Sequence, residues 1–243
     1  MTSHSRISVP PEQQTFWDHL DQLRIVIIRI LVVTLLMAVV AFCFKEQVFT
    51  IVLAPKANVH LINTQLTQQF VIHMKMSFYA GLLVSSPYIL YQIFRFITPA
   101  LYFNERKYFL RLCGGGYLMF LVGALFSYFC VFPFVIRFLG NYQVDPNVVN
   151  TITIESYIST FISMTLVMGL IFQLPVLCWL FAKFGFLSSS FMTTYRRHAI
   201  VAILVVAAII TPTTDVFTLL IVSIPMYLLY EISILLVRRA NKN

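Results

Sequence analysis

The sequence predicts an all-α membrane protein with six transmembrane helices and both termini on the inner side of the membrane. Of its 243 residues, 59% are hydrophobic and only 11% are charged, which is more apolar surface than a water-soluble domain of this length can bury. A transmembrane helix needs about 20 mostly apolar residues. Six segments qualify or nearly qualify: 25–44, 70–97, 108–138, 153–182, 198–211 and 216–237.

The basic residues support this orientation. The formal net charge is +8. With both termini inside, only four of the 17 Lys and Arg residues fall on the outer side: Lys45, Lys56, Lys75 and Arg137. An excess of Lys and Arg on the inner side is typical of polytopic membrane proteins, so the basic balance requires no nucleic-acid partner.

A short N-terminal region precedes the first span. Residues 1–15 are polar and predict a flexible tail. Residues 16–24 then place Phe16, Leu20 and Leu23 on one helical face, which predicts a short amphipathic helix at the membrane interface. From there the chain is predicted to form a single polytopic domain.

The last two spans are unusually short. Segment 198–211 covers only part of a normal bilayer at about 1.5 Å per residue, and the turn that follows, 211–215, is rich in helix breakers. The return span 216–237 contains Pro225. A short helical hairpin beside four long spans predicts a locally thinned bilayer or a water-filled cavity, although packing alone can also compensate for the mismatch.

Several polar side chains fall inside the apolar segments, where they are costly. Lys75 is close enough to the outer end of its span to reach water, or it has a specific role. Arg29 and Glu231 lie at similar depths near the inner side, where a mutual ion pair would offset the cost of burying either alone. Gln173, near mid-depth beside the helix breaker Pro175, either bonds neighbouring helices together or belongs to a functional polar patch.

The loop between the second and third spans carries the most distinctive charge. Glu105 follows Asn104 and has cations beside it, with no other acid near it in sequence. A carboxylate accepts both prongs of a guanidinium group, so a lone acid at a membrane surface can receive an arginine-bearing peptide. The alternative is an ordinary solvated loop charge.

Nothing in the sequence predicts catalysis or a cofactor. No His, Cys and carboxylate residues have the spacing of a metal site, and no nucleophile–base grouping occurs. The four cysteines fall in or at the edges of apolar segments and are interpreted as small core residues. The run Gly114-Gly115-Gly116 predicts close helix packing. We therefore expect no metal and no enzymatic activity.

A rival functional class is a secondary transporter or small-solute channel. Its substrate path would pass Glu231, Lys75 and Gln173. Such proteins are commonly built from inverted repeats, and none is evident in this sequence.

Five motifs occur in a fixed order along the chain: HLDQLR at 19–24, TPALY with ER at 98–106, FQLPV at 172–176, TPTTD at 211–215 and IPMYLLYEI at 224–232. Together they resemble the TatC family, the multi-spanning core subunit of the twin-arginine protein translocase. The resemblance runs almost end to end, from about residue 16 to residue 239.

The resemblance implies a glove-shaped receptor that binds the twin-arginine signal peptides of folded precursor proteins. Transport would be driven by the proton gradient, and small single-span subunits would join the chain in a homo- or hetero-oligomer. The positions implied in signal-peptide binding are Glu105, Arg24, Gln22 and Asn104. The positions implied in partner binding or intramembrane polarity are Gln173, Glu231, Asp215 and Pro175.

Three departures from the family pattern concern binding details. Gln22 stands where the family has a glutamate, so the second carboxylate for an arginine pair is missing, and Asp18 or Asp21 is the candidate replacement. Gln173 is likewise neutral where the family has a glutamate. The outer turn, TPTTD, is one residue longer than the family's TPPD.

Composition also predicts a location. Eight glycines, 23 phenylalanines and a polar N-terminal stretch without a secretory signal or presequence are typical of a protein made inside a mitochondrion. The mitochondrial inner membrane is therefore preferred, and a prokaryotic plasma membrane is the alternative.

Overall fold

The computed structural model describes residues 16–56, 61–97, 106–141, 151–211 and 216–240. Ten α-helices cover most of these ranges: α1 Phe16–Cys43, α2 Lys45–Leu53, α3 Gln68–Ile97, α4 Arg106–Phe126, α5 Phe132–Asn141, α6 Ile154–Ile171, α7 Leu174–Lys183, α8 Ser189–Thr194, α9 Arg196–Ile210 and α10 Val216–Ala240. Two short strands, β1 Leu61–Ile62 and β2 Ile152–Thr153, complete the architecture. The predicted all-α fold class is confirmed.

Four helical stretches within these ranges are long and apolar enough to cross a membrane: Leu20–Cys43, Leu112–Gly140, Ile154–Lys183 and Val216–Ala240. Helix α3 has 30 residues but is more polar, and α9 has only 15 residues, as predicted for a short fifth span. The prediction of a short sixth span is wrong, because α10 continues to Ala240 and has 25 residues. The protein is therefore an integral multi-pass membrane protein. The full count of six spans stays a prediction.

Helix α1 runs without a break from Phe16 to Cys43. The separate interfacial helix predicted over 16–24 is thus the first part of the same helix that contains the predicted span 25–44. No Pro or Gly separates the two segments, so nothing removes a backbone donor or favours a turn between them. The predicted tail, 1–15, lies outside the described residues.

Helix α1 packs antiparallel on α3 through small side chains. Thr34 Oγ1 and Ser85 Oγ are 3.1 Å apart and buried. One turn further along, Ala38 lies against Gly81, where an added Cβ would be 2.4 Å from the Ala38 backbone nitrogen. Because only glycine lacks that atom, Gly81 sets the distance between the two helices.

The third span is one rod in which α4 passes through a π-helical turn, Ser127–Val131, into α5. At this turn the Phe132 N–H donates to the Ser127 carbonyl, five residues back. Pro133 follows directly. A proline ring collides with the carbonyl four residues earlier in a regular α-helix, and we infer that the wider turn accommodates it.

Helix α6 lies at the centre, with α3, α4 and α5 packed around it. The Phe161 ring of α6 makes edge-to-face contacts with Tyr79, Tyr128 and Phe132, at centroid distances of 5.8, 6.1 and 5.1 Å. Each such pair contributes about 0.5–1.5 kcal/mol beyond burial alone. This aromatic cluster fixes the positions of three spans relative to one another.

We call the end of the bundle that carries α2 and the strands the outer end, and the opposite end the inner end, following the charge distribution. At the outer end β1 pairs in parallel with β2, with Leu61 opposite Ile152. Tyr128 and Tyr157 donate hydroxyl hydrogen bonds to carbonyls in the last turn of α2, at 2.7 and 3.2 Å. These bonds hold α2 against the bundle.

The interpretation of the cysteines as core residues is wrong for two of them. Cys43 and Cys130 are exposed, whereas Cys113 and Cys178 are partly buried. A small, weakly polar thiol is tolerated on an apolar surface as readily as in a core, so an apolar segment does not reveal which face a cysteine occupies.

Candidate functional site

The predicted span 153–182 is broken about two thirds of the way along its length. Helix α6 ends at Ile171 and α7 begins at Leu174, with Pro175 in the first turn of α7. The Gln173 N–H donates to the Leu170 carbonyl at 2.9 Å, three residues back instead of four. Since Pro175 has no N–H to continue the ladder, the chain makes a tight turn that directs Gln173 toward α4.

Gln173 is buried at this break, with 5% of its surface exposed. Its Nε2 donates to the Gly116 carbonyl of α4 at 2.8 Å. Its Oε1 is also buried and has no hydrogen-bond partner among the described residues. One half of the amide thus bonds two helices together, while the other half is an unfilled acceptor, which costs about 1–3 kcal/mol when buried.

Only one glycine of the run Gly114-Gly115-Gly116 makes a close contact. At Gly116 a Cβ would be 2.6 Å from the Phe94 ring and 3.3 Å from Gln173 Oε1. At the other two glycines a Cβ would have no described atom within 4 Å. The predicted packing role is confirmed for Gly116 and wrong for Gly114 and Gly115.

Glu231 pairs with Arg196. The Arg196 Nη2 lies 2.8 Å from Glu231 Oε2, and the Tyr227 hydroxyl donates to Glu231 Oε1 at 3.0 Å. Arg29 is exposed on α1, which packs mainly on α3. The predicted Arg29–Glu231 pair is therefore wrong, because similar depth in the membrane does not make two helices neighbours.

Lys75 forms an ion pair that the sequence analysis missed. Its Nζ lies 2.9 Å from Glu155 Oε1, and Gln68 Nε2 donates to Glu155 Oε2 at 3.2 Å. The network joins the beginning of α3 to the beginning of α6 at the outer end. Because 80 residues separate Lys75 from Glu155, no local pattern could have indicated the pair.

The residues assigned to signal-peptide binding are described in part. Glu105 and Asn104 lie outside the described residues, as does Asp215 of the outer turn. On α1, Gln22 is half-buried, while Arg24 and Asp21 are exposed. The exposed cation and acid are available to an incoming peptide, and their convergence with Glu105 stays a prediction, as does replacement of the missing acid by Asp18 or Asp21.

The sequence of this chain matches the profile of a known protein family. The sequence profile of the Sec-independent protein translocase protein TatC matches residues 18–225, most of the chain. The chain belongs to the TatC family. The predicted family is thereby confirmed, together with its functional class, which comprises translocase components and not enzymes.

Individual relatives match this chain over different fractions of their own length. The TatC protein of Akkermansia muciniphila is 43% identical over 169 residues, which cover 70% of this chain but only 49% of that protein. The TatC protein of Aquifex aeolicus is 35% identical over 230 residues, covering 93% of this chain and 95% of that protein. A crystal structure of the twin-arginine translocase receptor TatC matches with a TM-score of 0.83 at 36% identity, covering 91% of this chain and 99% of that one.

Proposed function

We propose that this TatC-family protein is the receptor and core subunit of a twin-arginine translocase, and that it binds the signal peptides of folded precursor proteins. The observation that carries the proposal is the match over nearly the whole chain to a solved twin-arginine translocase receptor. The ordered motifs, at family-like spacing, support it independently. Movement of cargo would be driven by the proton gradient.

Docking of the signal peptide is assigned to the inner end of the bundle. Glu105 accepts a guanidinium group of the twin-arginine pair, because a carboxylate matches the two-pronged geometry of that group. Asn104 and Gln22 supply further hydrogen-bonding groups, and Arg24 lies exposed on the same helix as Gln22. The apolar part of the peptide would then lie along the spans.

Partner subunits are assigned to the break between α6 and α7. The buried Oε1 of Gln173 lacks a hydrogen-bond partner in the described ranges. A single-span helix that presents a donor at this depth would satisfy that acceptor once the Gln173 side chain turns outward, and water is scarce there as a competing partner. We infer that the working assembly is an oligomer containing such subunits.

Charge reversal at Glu105 tests the docking assignment. Glu105→Lys should abolish crosslinking of a twin-arginine signal peptide to the chain and export of its cargo, because like charges repel at the proposed contact. The matched control is Glu46→Lys, which reverses an exposed acid on α2 at the outer end and should leave both readouts unchanged. Normal crosslinking and export with Glu105→Lys would show that Glu105 does not bind the signal peptide.

The finer location has two candidates. The composition predicts the mitochondrial inner membrane, whereas the relatives described above come from bacteria, which supports a prokaryotic plasma membrane. We propose the plasma membrane on that ground. Fractionation of the source cells, followed by detection with an antibody to the chain, decides between them.

A further inference from the structure

We propose that the inner ends of α7 and α10, with the turn that follows α7, bind the phosphate groups of an anionic phospholipid. The cations of this site are Lys183, Arg238 and Arg239, and its apolar flank includes Phe186. We call these four residues the inner basic site. The proposal does not depend on the signal-peptide contact assigned to Glu105.

A packed apolar cluster holds the cations in place. Ala182 at the end of α7 packs with Met192 of α8 and with Val237 and Ala240 of α10, and all four are buried. Lys183 follows Ala182 in sequence, and the two arginines lie between Val237 and Ala240. The backbones that carry the three charges are therefore fixed at the rim of one cluster.

The turn after α7 adds an exposed aromatic ring to this rim. The Gly185 N–H donates to the Ala182 carbonyl and the Phe186 N–H to the Phe181 carbonyl, both at 3.0 Å. Gly185 has a φ of +77°, the left-handed conformation that ends a helix in this motif. The turn projects Phe186, which is 81% exposed, and an exposed apolar ring at the end of a span can be buried against lipid acyl chains.

The charges of the inner basic site have no protein counter-charge in the described structure. Lys183, Arg238 and Arg239 are all exposed, and none forms an ion pair with a described residue. Glu231 is the one acid among the described residues of α7 to α10, and Arg196 already engages it at 2.8 Å. Among the described residues, α7 to α10 therefore offer no second acid to neutralise these three cations.

A lipid phosphate fits this site better than a free anion. Lys and Arg at helix ends extend their apolar stems along the lipid and carry their charge to headgroup depth. Phe181 and Leu235, which flank the cations on α7 and α10, are exposed and apolar. A ligand that combines a phosphate with acyl chains contacts both surfaces, and clusters of cations between spans recognise anionic lipid headgroups in this way.

The test uses the full-length chain with Trp17→Phe, which leaves Trp179 as its single tryptophan. Trp179 packs at the edge of the same apolar cluster, so lipids with brominated chains bound there should quench its fluorescence. The chain is reconstituted in phosphatidylcholine nanodiscs with a rising fraction of brominated phosphatidylglycerol. Brominated phosphatidylcholine in the same discs reports unspecific contact.

Two variants with the same change in net charge separate the site from general surface potential. Lys183→Gln/Arg239→Gln should raise the lipid fraction for half-maximal quenching about 25-fold, roughly fivefold for each cation removed. Arg29→Gln/Arg95→Gln, at exposed inner cations on α1 and α3, should change it less than twofold. If the double variant does not fold, the single variants Lys183→Gln and Arg239→Gln replace it. Each should raise the lipid fraction for half-maximal quenching about fivefold.

Three results would overturn the proposal. Equal shifts in both double variants would mean that the inner surface attracts anionic lipid without a site. Equal quenching by phosphatidylcholine would mean that headgroup charge plays no part. Displacement of the lipid by millimolar glycerol phosphate would make a free phosphate the ligand.

Discussion

At the scale of single residues, the contact between Gln173 and Gly116 depends on the Cβ atom that glycine lacks. Its absence leaves room for a buried hydrogen bond. The amide of Gln173 reaches the Gly116 carbonyl at 2.8 Å, and the Phe94 ring fills the space beside it. Phe94 is itself almost fully buried, so it cannot move aside without disturbing the helices around it.

We expect Gly116→Ala to lower the free energy of unfolding by roughly 1–3 kcal/mol, because the new methyl group overlaps a ring that has no free space. The matched control is Gly115→Ala, one position earlier, where no atom of the described residues lies within 4 Å of the added methyl group. There the substitution should raise stability by about 0.5–1 kcal/mol, since alanine favours a helix more than glycine does. Unfolding in mixed micelles with increasing dodecyl sulfate measures both, and equal effects would contradict the described contact.

A second residue-scale prediction concerns the partner of Glu231. A double-mutant cycle between Arg196→Gln and Glu231→Gln should give a coupling energy of about 0.2–1 kcal/mol, the range for partly exposed pairs. The parallel cycle between Arg29→Gln and Glu231→Gln should give none. Unfolding free energies of the single and double variants provide both values, and coupling confined to the Arg29 cycle would restore the pair predicted from the sequence.

At the scale of elements, small residues determine how closely α1 approaches α3. The lipid-facing side of α1 contributes nothing to this contact, so the position of the helix depends on Thr34, Ala38, Gly81 and Ser85. In a membrane the hydrophobic effect between helices is absent, and close packing with interhelical hydrogen bonds takes its place.

Gly81→Ala should therefore destabilise the protein by about 2 kcal/mol, because the atom in the way belongs to the backbone of α1 and cannot rotate aside. Gly114→Ala on α4 is the matched control and should be neutral or slightly stabilising, because a Cβ there meets no neighbour in the part of the chain that the structure describes. Thermal unfolding in neutral detergent measures both variants. If Gly81→Ala melts at the temperature of the unsubstituted protein, α1 and α3 lie further apart than described.

At the scale of the whole molecule, helix α9 is too short to cross the hydrocarbon core of a normal bilayer. Its 15 residues reach about 22 Å, less than the roughly 30 Å of a hydrocarbon core. The difference must be met by a thinner bilayer, by water or by packing. The choice among these determines whether water reaches the outer end of α9.

A labelling experiment distinguishes these possibilities. In a variant whose four cysteines are replaced by serine, Ile209→Cys at the outer end of α9 should react in intact cells with a membrane-impermeant maleimide, because Ile209 is 79% exposed and lies where the bilayer is expected to be thin. Val39→Cys, on the exposed face of the longer α1, should remain unlabelled. An unreactive Ile209→Cys would indicate that packing alone compensates for the mismatch.

Membrane class, approximate helices and family could all be predicted from the sequence, because each depends on local information. Apolar segments of spanning length and ordered motifs are properties of short stretches of chain. The interruption beside Pro175 was likewise predictable, since a missing N–H acts within one helical turn. The candidate site was predictable only as a set of positions taken from the family resemblance.

The tertiary structure alone decided which polar groups meet. It pairs Glu231 with Arg196 instead of Arg29, connects Lys75 to Glu155 across 80 residues, and selects Gly116 from three consecutive glycines. The sequence by itself determined that these groups lie in or beside a membrane, because that follows from composition and periodicity. Their partners depend on which helices are neighbours and on how each helix is rotated, and both are set by long-range packing that no local pattern records.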